Sequence, residues 1–187
     1  MLFGVLPNKT AATYRKFFEA IASLGVRDAE ILFSCDYELV VIHEFQRVFP
    51  SAIIIGGCLF HFSQNIQKKV RDIHLQTLYE NDPTIHLHVQ MITALAYVPV
   101  QDVPSAFDDL QEYKDPRFEE LLSYVETNYV GHRLRNTRKV PRFHVPWWNV
   151  YKRTMNAAPS TNNYAEAGHR KTSLCVLIHQ YRLSYLI

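Results

Sequence analysis

Asp36 and Glu166 are the two acids whose settings could support chemistry. Asp36 follows the apolar run Ile31-Leu32-Phe33 and precedes a segment with helical spacing. Ligands in open α/β sheets bind beyond the carboxyl ends of strands, so a carboxylate there is placed to meet one. The same position also suits an acid that caps the next helix by accepting its first N–H groups. Glu166 is the single acid between Thr127 and Ile187, where every other charge is positive. A lone carboxylate in that field is a metal ligand or an ion-pair partner. Asn162, Asn163, His169 and Arg170 stand three or four residues from it, on neighbouring faces if the segment is helical. The asparagines could orient the carboxylate or touch phosphate; alternatively Thr161 caps a helix and they occupy its first turn.

Cys58 and His61 are three apart at a strand-to-helix turn, a spacing that can share a zinc ion. Structural zinc needs four ligands, and only the weak pair His86 and His88 could complete the set. A buried cysteine beside a hydrogen-bonded histidine explains the pair equally simply. A fourth group is basic and aromatic: Arg133, Arg135, Arg138, Lys139 and Arg142, then Phe143, Trp147, Trp148 and Tyr151, then Lys152 and Arg153. Guanidinium groups grip phosphates bidentately and flat rings can stack on bases. The tryptophans could instead anchor a loop to the core.

The positioning elements follow from the spacing of apolar residues. Phe3-Gly4-Val5-Leu6 reads as a short strand. Thr10 caps a helix whose stripe is Tyr14, Phe17, Phe18, Ile21 and Leu24, and Gly25 stops it. Ile31-Leu32-Phe33 reads as a buried strand. Val41, Ile42, Phe45, Val48 and Phe49 make a second helical stripe, closed by Pro50. Ala52-Ile53-Ile54-Ile55 is β-branched and continuous, the pattern of a strand covered on both faces. This alternation predicts an α/β layered unit with parallel strands. From His61 the period is helical: Phe62, Ile66, Val70, Ile73; then Ile85, Val89, Ile92, Leu95; then Val103, Phe107, Leu110; then Phe118, Leu121, Leu122, Val125, Tyr129. Gly131 to Pro159 reads as a long basic loop, and Thr161 is expected to cap a final helix through Cys175, Ile178 and Tyr181.

Composition limits the classes. The 187 residues are 48% hydrophobic and 20% charged, which describes one globular chain with a real core. No apolar run is long enough for a membrane helix, and no signal peptide is expected. Three scattered cysteines make no disulfide framework, so a reducing intracellular compartment is expected. The net charge of +2 conceals a division. Met1 to Glu126 carries ten Lys/Arg against seventeen Asp/Glu, whereas Thr127 to Ile187 carries ten against one. Such a division suggests a polyanionic partner for the last third, unless the charges pair across the fold.

Several strings, taken in order, resemble the transposase domain of Mutator-like elements. They are Leu6-Pro7-Asn8-Lys9-Thr10 with Tyr14, Cys35-Asp36-Tyr37-Glu38, Phe49-Pro50, and Gly57-Cys58-Leu59-Phe60-His61 with Gln64. Ala94-Leu95-Ala96-Tyr97-Val98-Pro99, Trp148-Asn149-Val150-Tyr151, and Thr161-Asn162-Asn163 with Glu166 and His169 complete the set. The resemblance spans nearly the whole chain. It implies a ribonuclease H-like α/β fold lacking its first strands, with a helical insertion before the last catalytic helix. The implied domains are a partial core over 1–75, the insertion over 76–130, a basic aromatic loop over 131–160 and a final helix over 161–187.

The family cuts and joins DNA with three carboxylates holding two Mg²⁺ ions, one activating the attacking oxygen and one stabilising the leaving oxygen. By the resemblance Asp36 is the second carboxylate and Glu166 the third, and the Cys58/His61 pair is a family feature. The first carboxylate has no counterpart, because no acid precedes Glu19. Ser160 and Gly168 also depart from the usual residues. The expectation is therefore an incomplete Mg²⁺ site, a DNA-binding surface formed by the basic loop, and a nuclear location. The alternative is a domesticated DNA-binding or protein-interaction domain without catalysis. Without the first strands, the flank of Phe3–Leu6 would be a bare sheet edge that recruits other strands, so self-association is expected.

Overall fold

A computed structural model describes residues 6–26, 31–35, 37–54, 59–112, 115–135, 137–156, 175–179 and 182–186. The chain divides into two compact units, one formed by 1–58 with 161–187 and the other by 59–160.

In the first unit, helix α1 (Ala11–Ala22) starts at Thr10, whose side chain accepts from the Thr13 N–H. Asn8 braces that start by accepting from both threonine hydroxyls. Gly25, at φ 79°, takes the left-handed conformation beyond the helix end, which only glycine adopts without strain. Tyr14, Phe18 and Ile21 are buried. Helix α2 (Leu39–Val48) buries Val41, Ile42 and Phe45, and between the helices lies strand β1 (Leu32–Ser34). The core is aromatic: Phe33 stacks on Phe45 with centroids 3.7 Å apart, and Phe18 meets both rings edge-on. Arg15 on α1 grips Glu44 on α2 with two hydrogen bonds, of 2.7 and 3.2 Å.

Strand β2 (Ile53–Ile54) pairs in parallel with β1, as the β-branched run predicts. The α/β ribonuclease H-like core is nevertheless overturned. Helix far outweighs strand, and β1 and β2 share only two residue pairs. Of the expected final helix over 161–187, residues 161–174 lie outside the described residues, and the described part is not helical. Its last part forms strands β3 (Cys175–His179) and β4 (Arg182–Leu186), paired antiparallel, with β4 parallel to β1. The physical reason is that Cys175, Ile178 and Tyr181 sit at a helical step inside a segment rich in Val, Ile and Tyr. So short a run cannot separate the two periods, and β propensity decides. The expected strand at Phe3–Leu6, and the edge it would expose, fall outside the described residues except for Leu6.

The second unit is helical. Helix α3 (Leu59–Asp72) buries Phe62, Ile66 and Val70. After α4 (Gln76–Asn81), Asp82 caps α5 (Pro83–Ala94) by accepting from the Thr84 and Ile85 N–H groups, and Pro83 fits the first turn because its missing N–H has no partner to lose there. Ile85, Val89 and Ile92 face inward. Helix α6 (Val103–Glu112) buries Val103, Phe107 and Leu110. Helix α7 (Glu119–Val125) continues into a π-helical turn, Glu126–Val130. Two short helices, α8 (Val145–Trp148) and α9 (Tyr151–Met155), interrupt what reads in the sequence as one long loop.

Candidate nucleic-acid interface

The basic segment is held by the π-helical turn. Its backbone N–H…O bonds skip one residue more than in an α-helix, as Gly131 N donating to Glu126 O shows. Three successive carbonyls of the turn then accept from the following segment: Thr127 from Arg142 N, Asn128 from Phe143 N, and Tyr129 from the indole Nε1 of Trp148. Helix-end carbonyls need such partners, and here they fix the base of the basic segment.

Trp148 is fully buried, stacked on Phe62 at 4.8 Å, with Tyr129 edge-on to Phe62 at 5.0 Å. Burial pushes the Tyr129 phenol well above its usual range, and the Asn65 amide donates to its oxygen. Trp147 is 8% exposed and Phe143 is also buried. Of the two uses open to the tryptophans, loop anchoring is the one observed, and neither ring offers a face for a base. Two of the strings behind the family resemblance meet in this anchoring. Asn149 Nδ2 donates to Val98 O at 2.7 Å, and Val150 N to Ala96 O at 2.7 Å.

Gly131 stands at φ 92°, and a β-carbon there would fall on the Lys139 carbonyl. From it the chain runs out and back as a small hairpin. Lys139 N donates to His132 O, Leu134 N to Thr137 O, and Arg133 bridges antiparallel to Arg138. Opposed residues of an antiparallel pair share a face, and both of these arginines turn to Asp108 on α6. Arg138 is the anchor. It donates to Asp108, to Glu126 at 3.5 Å, and to the carbonyls of Gly131 and Pro104, with only 14% of its side chain exposed. His132 lies 3.0 Å from the other oxygen of Glu126.

Four of the remaining five cations face solvent. Arg135, Lys139 and Lys152 are exposed and make no ion pair among the described residues, and Arg142 is exposed with its guanidinium over the Phe143 ring. Arg153 reaches the Asn149 carbonyl. The seven expected phosphate contacts therefore divide into an internal clamp, Arg138 with part of Arg133, and an outer set. A nearby cavity of about 390 Å³ is lined by Asp115, Glu119 and Glu126, the wrong sign for a polyanion. The Arg117 side chain holds the Asp115 carboxyl down at about 2.

Asp36, Cys58, Asn162, Asn163, Glu166 and His169 lie outside the described residues. His61 sits in the first turn of α3, its ring 5.7 Å from that of Phe60. Among the described residues no three His, Cys, Asp or Glu side chains converge as a metal site, and no helix is long and apolar enough to cross a membrane. No family model, no curated protein and no solved structure matches the chain.

Proposed function

We propose that the chain is a DNA-binding module related to Mutator-like transposases, which holds the duplex backbone with the outer cations of the hairpin. The observation that carries this reading is the division of the arginines. Arg138 is spent on Asp108 and Glu126, while Arg135 and Lys139 on the hairpin and Arg142 at its base stand in solvent. Unpaired cations on one projecting element are the footprint of phosphate contact. The excess of base after Thr127 and the order of the family strings support the same reading. A nuclear location is part of the proposal, as the compartment of the duplex.

By the resemblance, Asp36 and Glu166 are two of the family's three carboxylates.

Fluorescence anisotropy with a labelled duplex across a salt series tests the proposal. Affinity should fall steeply with salt. Changing Arg135, Lys139 and Arg142 together to Gln should weaken binding and reduce the salt slope by about 0.9 per lost contact. A triple variant with unchanged affinity and slope would remove the hairpin from DNA binding.

A further inference from the structure

The outer side of the hairpin carries more than charge. Leu134 is 46% exposed and Val140 is 73% exposed, on a projection whose other outward residues are polar or cationic. The geometry explains the placement of Leu134. Arg133 and Arg138 form the bridge and both reach Asp108, Arg138 with 14% of its side chain exposed and Arg133 with 69%. Beyond the bridge, Leu134 N donates to Thr137 O, which puts Leu134 and Thr137 at the end of the hairpin away from Gly131, with Lys139 beside the bridge. All three are exposed, and Arg135 follows in the turn. The result is an apolar side chain at the end of a braced hairpin, flanked by cations.

We infer that Leu134 is a wedge: the hairpin enters a groove of the duplex, its cations take the phosphates on either side, and Leu134 inserts between base pairs and kinks the helix. This inference rests on the duplex-binding reading above. A two-stranded ribbon is narrow enough for a DNA groove. Apolar side chains inserted at a base step unstack it, and the surrounding phosphate contacts offset the cost. The partner is then a duplex that deforms easily, one with pyrimidine–purine steps or a mismatch, in preference to a stiff A-tract. The anchoring favours a wedge over a flexible arm, because Gly131, Arg138 and the π-helical carbonyls fix the base from which Leu134 projects.

The experiment uses the full chain and two end-labelled duplexes, one an A-tract and one with a central mismatch. Affinity is read by anisotropy and bending by energy transfer between the ends. The wild type should bind the mismatched duplex at least about fivefold tighter and draw its ends together. Leu134→Ala should keep its A-tract affinity within about twofold while losing both the preference and the bending. The side chain is exposed, so the variant should fold, which circular dichroism checks. Equal bending by wild type and variant overturns the wedge and leaves the duplex reading standing. No duplex binding by the wild type overturns both. Vesicles of anionic phospholipid form the third arm: loss of vesicle binding in Leu134→Ala, with duplex behaviour unchanged, makes the hairpin a membrane-surface element and overturns the wedge.

Discussion

Arg138 is ion-paired to Asp108, thirty positions upstream on α6, and so ties the outgoing basic hairpin to a helix of the acidic part of the chain. The same guanidinium lies over the Phe107 ring, with its centre 6.0 Å from the centroid. A residue that counts as a DNA contact by charge is thus a structural clamp. The consequence is an asymmetry of exposure and pairing among five closely spaced cations.

Arg138→Gln should destabilise the second unit by about 1–3 kcal/mol, because it leaves two part-buried carboxylates and two carbonyls short of donors. Arg135→Gln should change stability by less than about 0.5 kcal/mol, as exposed substitutions do. Urea unfolding measures both. A double-mutant cycle with Asp108→Asn isolates the pair, and zero coupling would contradict the clamp.

Gly131→Ala should open the base of the hairpin. Its φ of 92° already disfavours any side chain, and the added methyl would collide with the Lys139 carbonyl. A cost above about 1 kcal/mol is expected from the backbone conformation alone. Hydrogen exchange offers a local readout: the Lys139 and Leu134 amides, bonded to His132 O and Thr137 O, should lose protection while the α3 amides keep theirs.

Acid should loosen the first unit through Glu44. The Arg15 side-chain hydrogen bonds hold the Glu44 carboxyl below its usual range, outweighing the opposing effect of burial. A folded-state pKa below the unfolded one contributes stability that is present above about pH 4.3 and is lost as pH falls through the folded value. Arg15→Gln should therefore lower thermal stability at neutral pH and flatten its dependence on pH between about 5 and 3. The check is the melting temperature of both proteins across that range, and parallel curves would contradict the assignment.

The helices were legible because their burial pattern is local. Tyr14, Phe18 and Ile21, or Phe62, Ile66 and Val70, recur at the pitch of the helix and are the residues found buried. Helix α4 contains no buried residue and so left no stripe to read. The π-helical turn was equally silent, since it differs from an α-helix by one hydrogen-bond step rather than by residue type. The C-terminal strand pair reads as a helix in the sequence because a three-residue apolar step is compatible with both periods over so few positions. At the candidate site the sequence exposed the concentration of positive charge and the burial-prone tryptophans. It held no sign that, among the described residues, Arg138 faces two acids and Arg135 none.

Sequence alone determined where amphipathic helices form, where Gly25 ends one of them, and that charge of one sign is concentrated after Thr127. These follow from neighbours within four residues or from counting. Tertiary structure alone decided which cations remain available, because Asp108 and Glu126 neutralise partners that lie 30 and 12 positions away only after α6, the π-helical turn and the hairpin have packed together. It also decided that Trp148 faces Phe62 and the Tyr129 carbonyl instead of a ligand. An ion pair or a ring stack depends on distances through space, and those are set by the fold rather than by separation along the chain.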